Sequence, residues 1–235
     1  MNDSTRMIIA VSLILVLAIV IGISYMKTRK TKGRISTKFI GRTAIFVAIS
    51  TILYVVPYFQ FNVPFFPAFL SIHFDEVPAA IAAFAYGPLS GFCVLALKTV
   101  IKLPFTSSLC VGEFADLLYG SVLILPGAFM YKKLHNFKGV AIGLLIGFVS
   151  EVVVAAFFTT FVILDFYMMV MGLPYEAILG MCQAINPSIT DLTWPFFLYV
   201  GLPFNAFKNI IIVALIILLY KKIHTLVDKI SFQNE

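Results

Sequence analysis

The sequence predicts an all-α integral membrane protein with a six-helix core and one extra transmembrane helix at its N-terminus. Three observations predict it. Of the 235 residues, 61% are hydrophobic and 12% charged, with a mean hydropathy of +1.01; an ordinary soluble domain carries about 25% charged residues. The apolar residues come in runs long enough to cross a bilayer. Thirteen of the 17 Lys and Arg fall in three clusters, 27–42, 132–138 and 221–229, each beside a long apolar run. This is the positive-inside pattern, and it accounts for the net charge of +6 without a nucleic-acid partner.

Residues 7–26, MIIAVSLILVLAIVIGISYM, are long enough to span. A cleaved signal peptide carries its positive charge before the apolar run. Here only Arg6 precedes it, and KTRKTKGR follows, so the expectation is an uncleaved helix with its N-terminus outside. The basic linker is then cytoplasmic, and residues 1–37 form an N-terminal unit separate from a membrane domain over 38–225.

Within that domain the expected helices are 38–58, 75–87, 88–103, 113–131, 139–168 and 195–220. The first leads to an outer loop, 59–74, that has no Lys or Arg. The second and third are short and meet at Gly87-Pro88. The fourth returns to the basic stretch YKKLHNFK, and the fifth crosses outward to loop 169–193, which holds Glu176 and Asp191 but no Lys or Arg. The last ends at Lys221 and Lys222, leaving the C-terminus and a polar tail, 226–235, in the cytoplasm. Every strongly basic segment then lies on one side. No internal repeat of useful length is present. Cys93, Cys110 and Cys182 lack metal-type spacing. Cys110 and Cys182 both fall in outer loops; free thiols are expected, and pairing stays open.

The polar residues inside these spans carry the functional question. A Lys at the centre of a membrane helix costs ~2.5–3.5 kcal/mol on insertion scales, so such residues face a cavity or a partner. Lys102 is expected to snorkel to the outer interface. Glu113 suits a helix N-terminus, and Asp116 lies one turn further on. Lys98 and Glu151 either form a structural ion pair or serve function. Lys208 sits in PFNAFKN, residues 203–209, with Asn205 three positions earlier on the same face. Pro203 is expected to interrupt the helix just above and free a carbonyl. This cluster of donors suits a ligand edge rich in carbonyl oxygens and ring nitrogens; the alternative is a Lys208–Glu151 pair. The outer loop QFNVPFFPAFLSIHF, 60–74, holds five Phe and two Pro. It suits either an aromatic belt or stiff walls for a flat ring.

Enzyme motifs are absent from the sequence. There is no G-x-x-x-x-G-K-[ST] and no H-E-x-x-H, and the three His, at 73, 135 and 224, are scattered. Catalysis is therefore not expected, nor is ATP hydrolysis by this chain.

Four stretches together resemble one family: Ala44-Ile45-Phe46-Val47-Ala48, FLSIHFDEVPAAIAAFAYGPLSGF at 69–92, GEFADLLYGS at 112–121, and PFNAFK at 203–208. They are similar to the substrate-binding S component of energy-coupling factor (ECF) vitamin transporters, specifically the riboflavin-binding member, over about 38–225. The resemblance implies a six-helix S-component core that binds riboflavin below the first outer loop. It implies no cofactor other than the vitamin as transported ligand. It places ligand contacts on Phe69, Leu70, Ser71, Asn205 and Lys208. It also places the face for a transmembrane coupling subunit, which works with two ATPases, on Ala44 and Ala48. Thr159 aligns with a ligand-contacting Asn of the family. Asp165 stands for an expected Pro, Asp116 for an Asn and His73 for an acidic residue. These departures keep another flavin such as FMN, another ring-shaped vitamin, or a structural subunit without ligand as alternatives.

Overall fold

A computed structural model describes residues 36–232 other than Ser107, Leu109, His135 and Met171, with side chains described up to Tyr220 apart from Val170 and those four. The expected helix 7–26 lies outside the described residues. Helix α1 (Thr37–Val55) starts at Ser36, whose hydroxyl accepts from the Phe39 N–H and so satisfies one of the unpaired amides of the first turn. Helices α2 (Glu76–Tyr86) and α3 (Pro88–Lys102) follow. Gly87 separates them at φ 97°, a left-handed value that a side chain would resist, and Pro88 opens α3 with its preset φ.

Helix α4 (Val111–Leu134) runs antiparallel to α5 (Phe137–Phe158). The turn is capped by Asn136, whose Oδ1 accepts from the Gly139 N–H. The two helices approach at backbone distance: a methyl group at Gly143 would run into Gly127, and one at Gly147 into the Leu123 carbonyl. Helix α5 passes through a π-helical segment, Thr159–Ile163, into α6 (Leu164–Val170). Helix α7 (Tyr175–Gln183) interrupts the expected loop 169–193; its Ile178, Leu179 and Cys182 pack against Phe196 and Val200. The short α8 (Trp194–Phe196) leads through a second π segment, Phe197–Gly201, into α9 (Leu202–Phe232).

Five of these rods are long and apolar enough to cross a membrane, Thr37–Val55, Pro88–Phe105, Val111–Leu134, Phe137–Met169 and Trp194–Tyr220, and α2 is a sixth, shorter apolar helix. Together they are the expected six-helix core. Ile40, Ile45, Leu145, Val149, Ile210 and Leu218 point outward, as side chains that meet lipid do. The interior between α2, α3, α4, α5 and α9 is filled by Ala79, Ala80, Leu95, Leu123, Leu144 and Ile212. One element has no signature in the sequence. The first outer loop is closed by a two-residue antiparallel ladder, β1 (Phe61–Asn62) on β2 (Ser71–Ile72), paired Phe61 with Ile72 and Asn62 with Ser71. Cys93, Cys110 and Cys182 are free thiols.

Candidate functional site

A cavity of about 200 Å³ opens where the end of α1, the first outer loop, the start of α4, the π segment after α5 and the start of α9 come together. Phe69, Leu70, Ser71, Thr159, Asn205 and Lys208, the six residues singled out as ligand contacts, all line it. They come from three distant parts of the chain. The fold brings them to one end because α4, α5 and α9 alternate in direction.

Local structure sets each of them. The ladder between β1 and β2 fixes Ser71, and Phe66, Phe69 and Leu70 pack on the cluster formed by α6, α7 and α8. Phe69 stacks on Phe196 at 6.4 Å and 17°, while Phe66 meets Phe204 edge-on at 5.3 Å. Phe66 and Phe69 thus form a packed aromatic wall, while Phe61 and Phe65 of the same loop are exposed. Thr159 begins the π segment, and its hydroxyl hydrogen-bonds the Tyr119 hydroxyl at 3.0 Å. Pro203 does not interrupt α9. The departure from α-helix lies before it, over Phe197–Gly201, and the Asn205 amide donates to the Gly201 carbonyl at 2.9 Å. That leaves Asn205 Oδ1 as an acceptor toward the cavity.

Lys208 is 3% exposed and donates to Glu76 Oε1 at 3.1 Å. It does not pair with Glu151, the alternative raised by the sequence, because Glu76 opens α2 directly opposite. An ammonium has three donors, so two N–H remain for the cavity. Lys98 likewise does not pair with Glu151; it is fully buried against Asp75, which precedes α2. Lys102, expected to reach the outer interface, ends α3 and folds toward the end of α1. Its Nζ donates to the Tyr54 carbonyl at 3.2 Å and it lines the cavity. The aliphatic stem is long enough to fold back onto α1, where the Tyr54 carbonyl, past the last helical hydrogen bonds, accepts from both Lys102 and Gln60 Nε2. Glu113 sits in the first turn of α4, as expected, and accepts from the Thr106 and Ser108 hydroxyls at 2.8 and 2.7 Å. Asp116 accepts from the Tyr54 hydroxyl at 2.5 Å and stands 3.5 Å from His73 Nε2. The cavity wall thus carries two cations, Lys102 and Lys208, and two carboxylates, Glu113 and Asp116.

His73 and Asp75 anchor the loop below the cavity, with Nδ1 to Oδ1 at 2.6 Å. Burial pushes the His73 imidazole down to about 4, against the pull of Asp116; a neutral ring then donates from Nδ1 to Asp75. Sequence reasoning missed Tyr54, Tyr119 and Tyr167 as lining residues, and Asp75, Glu76 and Asn209 as partners. The signals available were two adjacent carboxylates at the head of an apolar helix, and an Asn four residues after Asn205 on the same face. Ala44 and Ala48 lie away from the cavity on the exposed face of α1, beside Ile45 and Ile49.

Comparison with known proteins agrees with this architecture. Residues 38–220 match the family described as ECF transporter, substrate-specific component. The chain is 31% identical over 184 residues to riboflavin transporter FmnP of Bacillus subtilis (strain 168), covering 77% of this chain and 90% of that one. It is 28% identical over 182 residues to riboflavin transporter RibU of Staphylococcus aureus (strain TCH60), with 77% and 89% covered. The solved S component of a bacterial ECF transporter superposes with a TM-score of 0.61 at 27% identity, over 80% of this chain and 96% of that one. A multi-pass helical membrane protein with this match over most of its length belongs to the family of ECF transporter substrate-specific components.

Proposed function

We propose that the chain is the riboflavin-capturing subunit of an ECF-type uptake transporter. The observation that carries this is the convergence of Phe69, Leu70, Ser71, Thr159, Asn205 and Lys208 on one cavity. The names borne by relatives that align along most of the chain support the choice of vitamin. An isoalloxazine is flat and mostly apolar, with two carbonyls and a ring N–H at its pyrimidine edge. Phe69, Leu70 and Phe204 bury the ring, at ~25 cal/mol per Å² of apolar area removed from water. The free N–H groups of Lys208 donate to a ring carbonyl, and Asn205 Oδ1 accepts the ring N–H. The hydroxyls and carboxylates around Thr159, Glu113 and Asp116 suit the polyol tail. These steps bind and orient; no bond is made or broken, so the chain is a transport subunit and not an enzyme.

Uptake on this reading needs a transmembrane coupling subunit docked on Ala44 and Ala48 and two ATPases to drive release. The cavity faces outside and the basic ends of the helices face the cytoplasm, with residues 1–37 and 226–235 flanking the 38–225 binding domain. The visible absorption of the purified protein tests the vitamin assignment. A flavin spectrum that co-purifies and exchanges with added riboflavin is expected. A cavity that takes FMN, or another vitamin, in preference would overturn it.

A further inference from the structure

Glu151 lies midway along α5, fully buried, and does not line the cavity. Its only hydrogen-bond partner among the described residues is Asn209 on α9, whose Nδ2 donates to Oε2. Among those residues no Lys, Arg or His is within ion-pair reach: Lys98 is taken by Asp75 and Lys208 by Glu76. An ionised carboxylate enclosed in this way costs several kcal/mol, whereas a protonated one is a neutral group with a donor of its own. Two atoms of the same pair are left over. Glu151 Oε1 and Asn209 Oδ1 are both buried acceptors without a donor among the described residues. One proton would satisfy both: an acid O–H on Oε1 would donate to Oδ1 while Nδ2 donates to Oε2, in a two-bond ring between a carboxylic acid and an amide.

We propose that Glu151 is held as a neutral carboxylic acid in a cyclic pair with Asn209, and that it acts as a positioning residue for Lys208. Asn209 follows Lys208 directly in α9, so the pair fixes that turn of α9 against α5. Neutral Glu151 also leaves Glu76 as the single carboxylate bonded to the Lys208 ammonium. An ionised Glu151 would compete for that ammonium and draw it away from the cavity. Other charged or titratable groups facing this region are Asp116 and Tyr119 on α4. The protonation claim stands without any ligand; only its consequence for Lys208 rests on the proposed function.

The test is infrared spectroscopy of the ligand-free full chain in detergent at neutral pH, wild type against Glu151→Gln. The difference spectrum should contain the carbonyl stretch of a protonated carboxylic acid, lost in the variant and downshifted in heavy water. Glu151→Leu leaves Asn209 without its partner and should bind riboflavin at least tenfold more weakly than wild type, a loss of about 1.4 kcal/mol or more. Glutamine keeps both hydrogen bonds of the pair, so Glu151→Gln should recover most of that affinity, and a leucine variant that binds as wild type does would remove the positioning role. Carboxylate bands in place of the acid band would overturn the proposal. So would a Glu151→Gln protein that fails to fold, or that binds riboflavin tenfold or more weakly than wild type. If the wild type itself bound no riboflavin, the proposed function would fall while the infrared result still decided the protonation.

Discussion

Removing Lys208 should cost the protein twice, and the two costs can be separated. Lys208→Met deletes an ammonium that is bonded to Glu76, a residue with no exposure at all. Breaking a buried ion pair from one side costs about 3–5 kcal/mol, because the remaining charge is uncompensated. The proposed contact to a ring carbonyl is a charge-assisted hydrogen bond, about 1.5–3 kcal/mol. That corresponds to a loss of roughly tenfold to 150-fold in affinity, at about 1.4 kcal/mol per decade. Adding Glu76→Gln removes the stranded carboxylate without restoring any donor toward the cavity. Thermal unfolding and riboflavin fluorescence quenching would be measured on wild type, both single variants and the double variant in one detergent. Lys208→Met should lower the unfolding midpoint and the affinity together. The double variant should regain most of the midpoint while its affinity stays at least tenfold down. If affinity returned along with stability, Lys208 would serve Glu76 alone and the ligand contact would be wrong.

Three further predictions follow from separate parts of the fold. Ala44→Leu places a large side chain on the exposed face of α1, and should abolish co-purification with the coupling subunit while riboflavin quenching stays unchanged; intact assembly would dismiss that face as the interface. Gly147→Ala forces a methyl group against the Leu123 carbonyl, and overpacking of this kind costs about 1–3 kcal/mol. The unfolding midpoint should fall clearly, whereas Gly180→Ala, with open space around it in a helix, should hold or slightly raise the midpoint, since Ala favours a helix over Gly. His73 carries a folded-state value of about 4 against about 6.5 unfolded. The unfolded chain therefore binds the extra proton between these values, and stability present above pH 6.5 is lost as pH falls toward 4, by at most about 3 kcal/mol. His73→Gln should flatten that part of the acid stability profile, and an unchanged slope would assign it to other groups.

The six spans were legible because lipid demands long apolar runs and the basic clusters mark their ends. The ligand contacts were legible because a Lys, an Asn and a Phe-rich loop are costly or unusual where they stand. Their partners were not. Spacing along one helix reveals neighbours on that helix, and it put Asn205 beside Lys208 correctly. It says nothing about which carboxylate faces Lys208 across the bundle, so Glu151, a long apolar stretch away, was a plausible partner until Asp75 and Glu76 proved to enter at the head of α2. The π segments at Thr159–Ile163 and Phe197–Gly201 were hidden for a related reason. A one-residue excess within a helix leaves no compositional mark, and Pro203 drew attention to the wrong side of the distortion. Helix α7 carries no spanning signature in the sequence because its nine residues are too few to cross a bilayer, and its burial is against α6 and α8 rather than in the main core.

The most direct test of the account is a titration of riboflavin with the purified wild-type chain, read by quenching of flavin fluorescence, with folding checked by thermal unfolding in the same sample. The account predicts saturable, one-to-one quenching and an unfolding midpoint that rises as riboflavin is added. A folded chain that leaves riboflavin fluorescence unchanged, with no shift in its midpoint, would contradict it.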